Sequence, residues 1–402
     1  MTVTLRHDEF PLEDQTAYGD ASPMEFLLEL QEHDPVHWHP AEGEFEPGFW
    51  VVTRYDDVVT VSREAQTFRS GDGFLMEKMV PGLENLIINQ DPPDHTRNRM
   101  IVARAFTPKV VRAMEPAVRR ATTAIVDRAL DLKEFDFVRE VAAELPLVVI
   151  ADLIGVPQED RSKVFDWSNR MMGRFDPEYG GDDAMLAADT AAAELFAYAQ
   201  DMAEDHLANP RDDLVTKLLT PDENGDRLTT EGYNYFVLLL AVAGNETTRN
   251  LISGGQQALF EHPEQRQRVA DDRSLIPSAV EEMLRWVSPV RYFRRTAATD
   301  TSIGDQEIAA GDKVTIWYGA ANRDPRIFNN PNVFDVSREP NEHLAFGGRG
   351  PHYCLGVALA RMEINVMFEE LVERIPNLAP TEPPSRLKSS LINGIKHLPV
   401  TV

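Results

Sequence analysis

Phe346-Gly347-Gly348-Arg349-Gly350-Pro351-His352-Tyr353-Cys354-Leu355-Gly356 stands immediately before a helical pattern that runs from about Leu355 to Ile375, and it holds the only cysteine of the chain. Its glycines reach backbone shapes closed to other residues and let a flat ligand approach closely. A cysteine at the start of a helix meets free N–H groups and the positive end of the helix dipole, which favour thiolate over thiol. A thiolate is a metal ligand, and N–H groups bonded to the sulfur tune how strongly it donates. A single cysteine excludes an internal disulfide framework and any cysteine-cluster metal site. The plain alternative is an inert buried thiol in a glycine turn. That alternative does not explain so much glycine together with His352.

Outward from this loop the pattern is mainly helical. The longest helix is predicted from Thr229–Thr230–Glu231 to Glu261, proline-free and stopped by Pro263. Its Phe236 to Val242 section is apolar on every side, which means deep burial. Further helices are predicted over about Asp56 to Glu64, Pro108 to Asp131, Val138 to Leu153, Gln158 to Met172 and Ile276 to Trp286, and another follows Pro92–Pro93. Phe49 to Tyr55 reads as a strand, and Val287 to Val336 as short strands and turns. Gly71 to Asn89 is a long functional loop by composition. The fold class is mainly α with a small β region. No linker is evident, so residues 1–402 are expected to form one domain, with 1–20 irregular.

Three motifs carry chemistry. Ala243-Gly244-Asn245-Glu246-Thr247-Thr248 places a glycine, an acid and hydroxyls inside the apolar helix. Each is unfavourable there, because glycine costs about 1 kcal/mol against alanine, threonine bonds back to the helix, and an unpaired acid is expensive. Glu282 and Arg285 lie on one helix face and can pair. His95 and Arg99 likewise share a face, and arginine's donor fork suits carboxylates.

These motifs together resemble the cytochrome P450 family over nearly the whole chain. The Gly-Gly-x-Gly-x-His-x-Cys arrangement is similar to an actinobacterial branch that oxidises sterol side chains and methyl-branched lipids, as are Ser288-Pro-Val290 to Ala297 and Leu391 to Lys396. Phe346 lies one residue farther from Cys354 than in the commonest family signature. The resemblance implies a single-domain P450 fold and a haem-thiolate monooxygenase using haem b and O2. Cys354 would then ligate the iron, with Ala243 and Gly244 against the haem. His95, Arg99, Arg295 and His352 would hold the propionates, and Thr247 with Glu246 would serve oxygen activation and proton delivery. Glu282 and Arg285 take a structural role linked to an arginine in Asn322-Arg323-Asp324-Pro325.

The resemblance also implies an apolar substrate pocket. Phe74, Leu75, Met76, Met79, Leu86 and Ile87 would form one wall, and Met171, Met172 and Phe175 the roof. Leu239, Ala243, Val287, Val290, Tyr292, Phe293, Leu391 and Ile392 would supply the rest. The implied reaction is hydroxylation of an unactivated C–H bond, first a terminal methyl of a branched fatty acid, isoprenoid or sterol side chain. A terpenoid or natural-product hydroxylase is the alternative. A peroxygenase would not need the Glu246–Thr247 pair, and a haem sensor or carrier needs no proton relay.

Partners follow from charge. A net charge of −26 opposes nucleic acid and anionic membrane surfaces. No apolar run nears the roughly 20 residues that span a bilayer, and no secretory signal is legible, so a cytoplasmic monomer is expected. Against that acidity, Arg97, Arg99, Arg104, Lys109, Arg112, Arg119 and Arg120 cluster in one stretch. With Arg349 and Arg361 they form a candidate docking surface for an acidic ferredoxin, itself served by a ferredoxin reductase. A solvated helix face explains them as well.

Overall fold

The Thr229 hydroxyl accepts the Gly232 N–H at 2.9 Å and starts the longest helix, Thr230–Glu261, which ends at His262 before Pro263. In the computed structural model, which describes residues 10–79, 82–174, 176–223 and 225–402, this helix runs through the middle of the main core. Its polar residues beyond Gly244 are tied down locally. Asn250 donates to the Glu246 carbonyl at 2.8 Å and accepts the Ile395 N–H at 3.1 Å, while Ser253 donates to the Arg249 carbonyl at 2.9 Å. The predicted threonine back-bond forms, from Thr247 to the Ala243 carbonyl, and the helix stays α-helical through residues 241–250.

Around it pack Pro108–Leu132, Glu144–Leu153, Arg161–Met172, Ala184–Ala208, Ile276–Val287 and Val357–Arg374. The predicted helix over Val138 to Leu153 is two pieces: a π turn at Val138–Ala142, then Glu144–Leu153. Pro146 has no N–H to give the Ala142 carbonyl, so the helical ladder loses a bond at this junction. Ala184–Ala208 falls where no helix was expected. Residues 1–20 are not irregular throughout. Ala17–Asp20 forms one helical turn, and the buried Tyr18 hydroxyl donates to the Leu12 carbonyl at 2.8 Å; residues 1–9 lie outside the described ones.

A five-stranded sheet lies to one side, in the spatial order Val36–Pro40, Gly48–Val52, Lys313–Trp317, Tyr292–Ala297 and Phe68–Arg69. Only Gly48–Val52 and Lys313–Trp317 pair in parallel. Helix Tyr55–Arg63 covers one part of the sheet and Met24–His33 another, each with its own apolar cluster. Because successive strand residues alternate faces, Tyr292 enters the cluster under Met24–His33 while Phe293 turns toward the helical half.

Candidate active site

The cysteine loop is held before helix Val357–Arg374 by its own backbone. Cys354 N–H donates to the Phe346 carbonyl at 2.9 Å, Tyr353 N–H to Gly350 at 3.0 Å and Gly347 N–H to Leu344 at 2.8 Å. Gly347 takes φ +102°, in the region glycine alone enters freely. Gly348 and Gly350 serve a different purpose from the expected ligand approach. A Cβ at Gly350 would lie 1.7 Å from the Ser62 carbonyl oxygen, and one at Gly348 2.2 Å from Ser62 Oγ. These glycines let the loop press on the end of helix Tyr55–Arg63. Burial pushes the Cys354 thiol up, opposed by the Gly356 N–H and by Arg99 and Arg361. Despite the extra residue, Phe346 still faces the same cavity as Cys354, with the Arg361 guanidinium 4.9 Å from its ring centre.

That cavity, about 240 Å³, lies between the cysteine loop, the long helix and strand Tyr292–Ala297. Ala243, Gly244 and Thr247 form its wall opposite the loop. The Thr247 hydroxyl donates to the Ala243 carbonyl at 2.6 Å. A Cβ on Gly244 would meet Ile150 at 2.3 Å, so this glycine also admits helix Glu144–Leu153.

Glu246 does not join Thr247. Consecutive helix residues point about 100° apart, and the Glu246 carboxylate is fully buried on the side of helix Arg161–Met172. It pairs with Arg249, and it accepts from Ser168 at 3.3 Å and Asn245 at 3.4 Å. Burial pushes its carboxyl up and Arg249 opposes this. Glu246 therefore braces the helix rather than reaching the cavity.

Four basic side chains meet at the cavity's edge. The His95 and His352 rings lie with centres 4.1 Å apart, tilted by 41°, and His352 Nε2 lies 3.1 Å from Ser70 Oγ. Arg99 donates to the Tyr353 carbonyl and Arg295 to the Arg294 carbonyl. Among the described residues neither arginine has a carboxylate partner, and both His95 ring nitrogens are buried without a bond. Burial, helped by Arg99 and Arg295, lowers His95 to about 4. His352 falls to about 2 through burial, Arg295 and His95. A site built this way suits an anion.

The lining of this cavity was only partly legible. Leu239, Ala243, Ile87, Val290 and Phe293 line the cavity. Phe74 does not, but packs edge-on behind Phe293 at 5.8 Å. Met76, Tyr292 and Leu391 belong to the cluster under Met24–His33, and Leu86, Val287 and Met171 to the helical core. Ile392 spends its backbone on a bridge to Val290, Met79 packs at Gly73, and Leu75 offers its carbonyl to Arg294. Neither Leu75, Met79 nor Met172 reaches the wall, and Phe175 lies outside the described residues. The wall instead includes Phe106, Phe236, Thr248, Leu359, Ala360 and Glu363. The last three follow Cys354 at helical spacing, a signal that was available.

Glu282 and Arg285 are fully buried and joined by two 2.8 Å bonds. Their third partner is Arg338, at 3.0 Å from Glu282, and not Arg323. Arg323 instead lies over Trp286 and donates to its carbonyl at 3.0 Å. The basic cluster is largely neutralised as well. Arg97 pairs with Asp226, Arg104 with Asp222, Arg119 with Glu115 and Glu369, Arg349 with Glu342 and Arg361 with Glu281. Lys109, Arg112 and Arg120 are exposed, and none shows an ion pair among the described residues.

Residues 182–396 match the family model for cytochrome P450. A steroid C26-monooxygenase of Mycolicibacterium smegmatis is 40% identical over 97% of this chain and 92% of its own. The chain belongs to the cytochrome P450 family. A methyl-branched lipid omega-hydroxylase of Mycobacterium bovis is 44% identical to this P450 over 88% of the chain and 84% of its own. A Mycobacterium marinum cytochrome P450 solved with pseudoionone superposes with a TM-score of 0.91, at 35% identity over 100% of both chains. This P450 is a haem-thiolate monooxygenase using haem b and O2. Its residues fit that cofactor: one sulfur, an apolar slot and a basic edge with orphaned histidine nitrogens where carboxylates belong. No helix of the described residues is long and apolar enough to cross a membrane.

Proposed function

We propose that this P450 hydroxylates a terminal methyl of a lipophilic substrate, a methyl-branched fatty acid, isoprenoid or sterol side chain. The observation that carries this reading is the cavity itself, apolar from Ile87 through Leu239 to Phe293, with Thr247 and Cys354 both in its lining. Relatives named for steroid C26 and methyl-branched lipid omega oxidation support the chain-end preference.

In this reading residues 1–402 act as one domain. Cys354 holds the haem iron, and His95, Arg99, Arg295 and His352 hold the propionates. Bound haem supplies the reduction of O2 and the oxidation of the C–H bond. The chain supplies position and protons. Val290 and Phe293 orient the apolar chain end, and the dry walls exclude bulk water. The Thr247 hydroxyl, released from the Ala243 carbonyl, holds a proton at the wall facing Cys354.

Electrons come from a ferredoxin and its reductase in the cytoplasm, reaching a monomer. Lys109, Arg112 and Arg120 support docking on helix Pro108–Leu132, which packs on helix Val357–Arg374 behind the cysteine. The test is a panel of branched fatty acids, sterols and terpenes scored by haem spin-state shift and by the carbon oxidised. Terminal hydroxylation of a branched chain is expected. Spin-state shifts confined to compact terpenes, oxidised on a ring, would overturn the chain-end reading.

A further inference from the structure

A second cavity lies apart from the one at Cys354. It measures about 300 Å³ between helices Pro108–Leu132, Glu144–Leu153 and Leu214–Leu219, and it shares no lining residue with the first. Ala113, Met114, Ala117, Val148, Leu153 and Leu214 give it an apolar surface. The two acids in its lining are already engaged. Asp152 pairs with Arg161, while Asp213 accepts the Thr216 N–H at 2.9 Å and lies 3.0 Å from His206. The uncompensated charge is positive. Lys109 precedes Ala113 by four residues and Arg120 follows Ala117 by three, so both cations border the groove on one helix. Both are exposed, and neither shows an ion pair among the described residues.

Helix Glu144–Leu153 is the partition between the two cavities. Val148, Val149 and Leu153 line the second, whereas Ile150 lines the first and packs into the notch that Gly244 leaves in the long helix. The partition is entered through the π turn Val138–Ala142, and Pro146 takes a further bond from its ladder. Its first turn is therefore held less firmly than an unbroken helix would be. Pressure on Val148 and Leu153 is passed to Ile150, and so to the wall that carries Thr247.

We propose that this groove is a second binding site, for a long-chain fatty acid anion, and that its occupant reshapes the catalytic cavity through Ile150. The alkyl tail lies along Ala113 and Ala117, and the carboxylate meets Lys109 and Arg120. About 300 Å³ is the scale of small ligands, whereas a stable protein partner covers roughly 800 Å² on each side. The site stands apart from the chain-end reading and does not depend on it. Because the two cavities share one partition, their occupants weaken each other's binding by one common factor.

Equilibrium dialysis of radiolabelled laurate tests this without turnover, on haem-loaded protein whose catalytic cavity is saturated by an azole that ligates the iron. One laurate per chain should still bind. Reversing both cations, Lys109→Glu with Arg120→Glu, should weaken it by roughly tenfold, and dodecanol, with the same tail and no charge, should bind as weakly. Ala117→Trp fills the groove and should abolish this laurate with haem content unchanged. In wild type, laurate should lower azole affinity by about fivefold and azole should lower laurate affinity equally, both effects vanishing in Ala117→Trp. If Ala117→Trp does not load haem, the exposed charge reversals and dodecanol decide. Absence of laurate from the azole-saturated protein, or laurate binding unaltered in a haem-loaded Ala117→Trp, overturns the site. Dodecanol binding as tightly as laurate overturns the anion assignment, and an azole affinity indifferent to laurate overturns the coupling. Slower reduction by ferredoxin in Ala117→Trp, with no laurate bound to wild type, would give the groove to the protein partner instead. Oxidation of substrates at a ring carbon would sink the chain-end reading and leave each of these binding results standing.

Discussion

Cys354 gives its backbone N–H to the Phe346 carbonyl at 2.9 Å, closing the glycine loop so that the sulfur and the Phe346 ring face one cavity. The sulfur's position is thus fixed by main chain, independent of what the sulfur itself binds.

Cys354→Ser should therefore fold, because its backbone bond survives. Its reduced carbon monoxide complex should lack the red-shifted Soret band of thiolate ligation. A normal band in this variant would remove the ligand assignment.

Thr247→Ala deletes only a hydroxyl whose bond to Ala243 is local. Haem binding should be unchanged while peroxide rises and product per NADH falls by about tenfold or more. Full coupling would show that the hydroxyl handles no proton.

Gly350→Ala would drive a methyl into the Ser62 carbonyl. Main chain cannot step aside as a side chain can, so a loss of about 1–3 kcal/mol or more is expected. Urea unfolding of the haem-free protein measures it. Stability equal to wild type would mean that the loop has slack.

Glu282 and Arg338 should couple in a double-mutant cycle more strongly than Glu282 and Arg323, since only Arg338 bonds to the carboxylate. Removing Glu282 strands the fully buried Arg285 and should cost about 3–5 kcal/mol. Equal coupling energies would return the role to Arg323.

Glu281 supplies a pH dependence. Burial raises its pKa, but bonds from His343 and Arg361 outweigh this and hold it at about 2. The folded value lies below the unfolded one, so this stabilisation is complete above about pH 4.5 and disappears as pH falls toward 2. Wild-type stability should drop across that window, and Glu281→Gln should drop less steeply. Parallel curves would count against the linkage.

What the chain disclosed of itself follows from physical contrast. Thr230–Glu261 was legible because an apolar run, an N-cap threonine and a terminating proline agree. Ala184–Ala208 was not, since alanine on buried and exposed faces alike blurs the periodicity. Cys354 announced itself through its glycines, though Gly348 and Gly350 turned out to face Ser62. Motif order suggested Glu246 beside Thr247, but only helix rotation against Arg161–Met172 decides which way an acid points. Arg338 was missed because its partner lies far off in sequence, and Met76 because an apolar loop residue can enter any of several cores.

The contact of Gly348 and Gly350 with Ser62 has a consequence for diversification. It clamps the sulfur-bearing loop to a helix that none of the pocket side chains occupies. Ile87, Leu239 or Val290 can then be exchanged without disturbing the clamp. Repertoire and reactivity become separable, so libraries aimed at new substrates should spare Ser62 and its two glycines and vary the opposite rim freely.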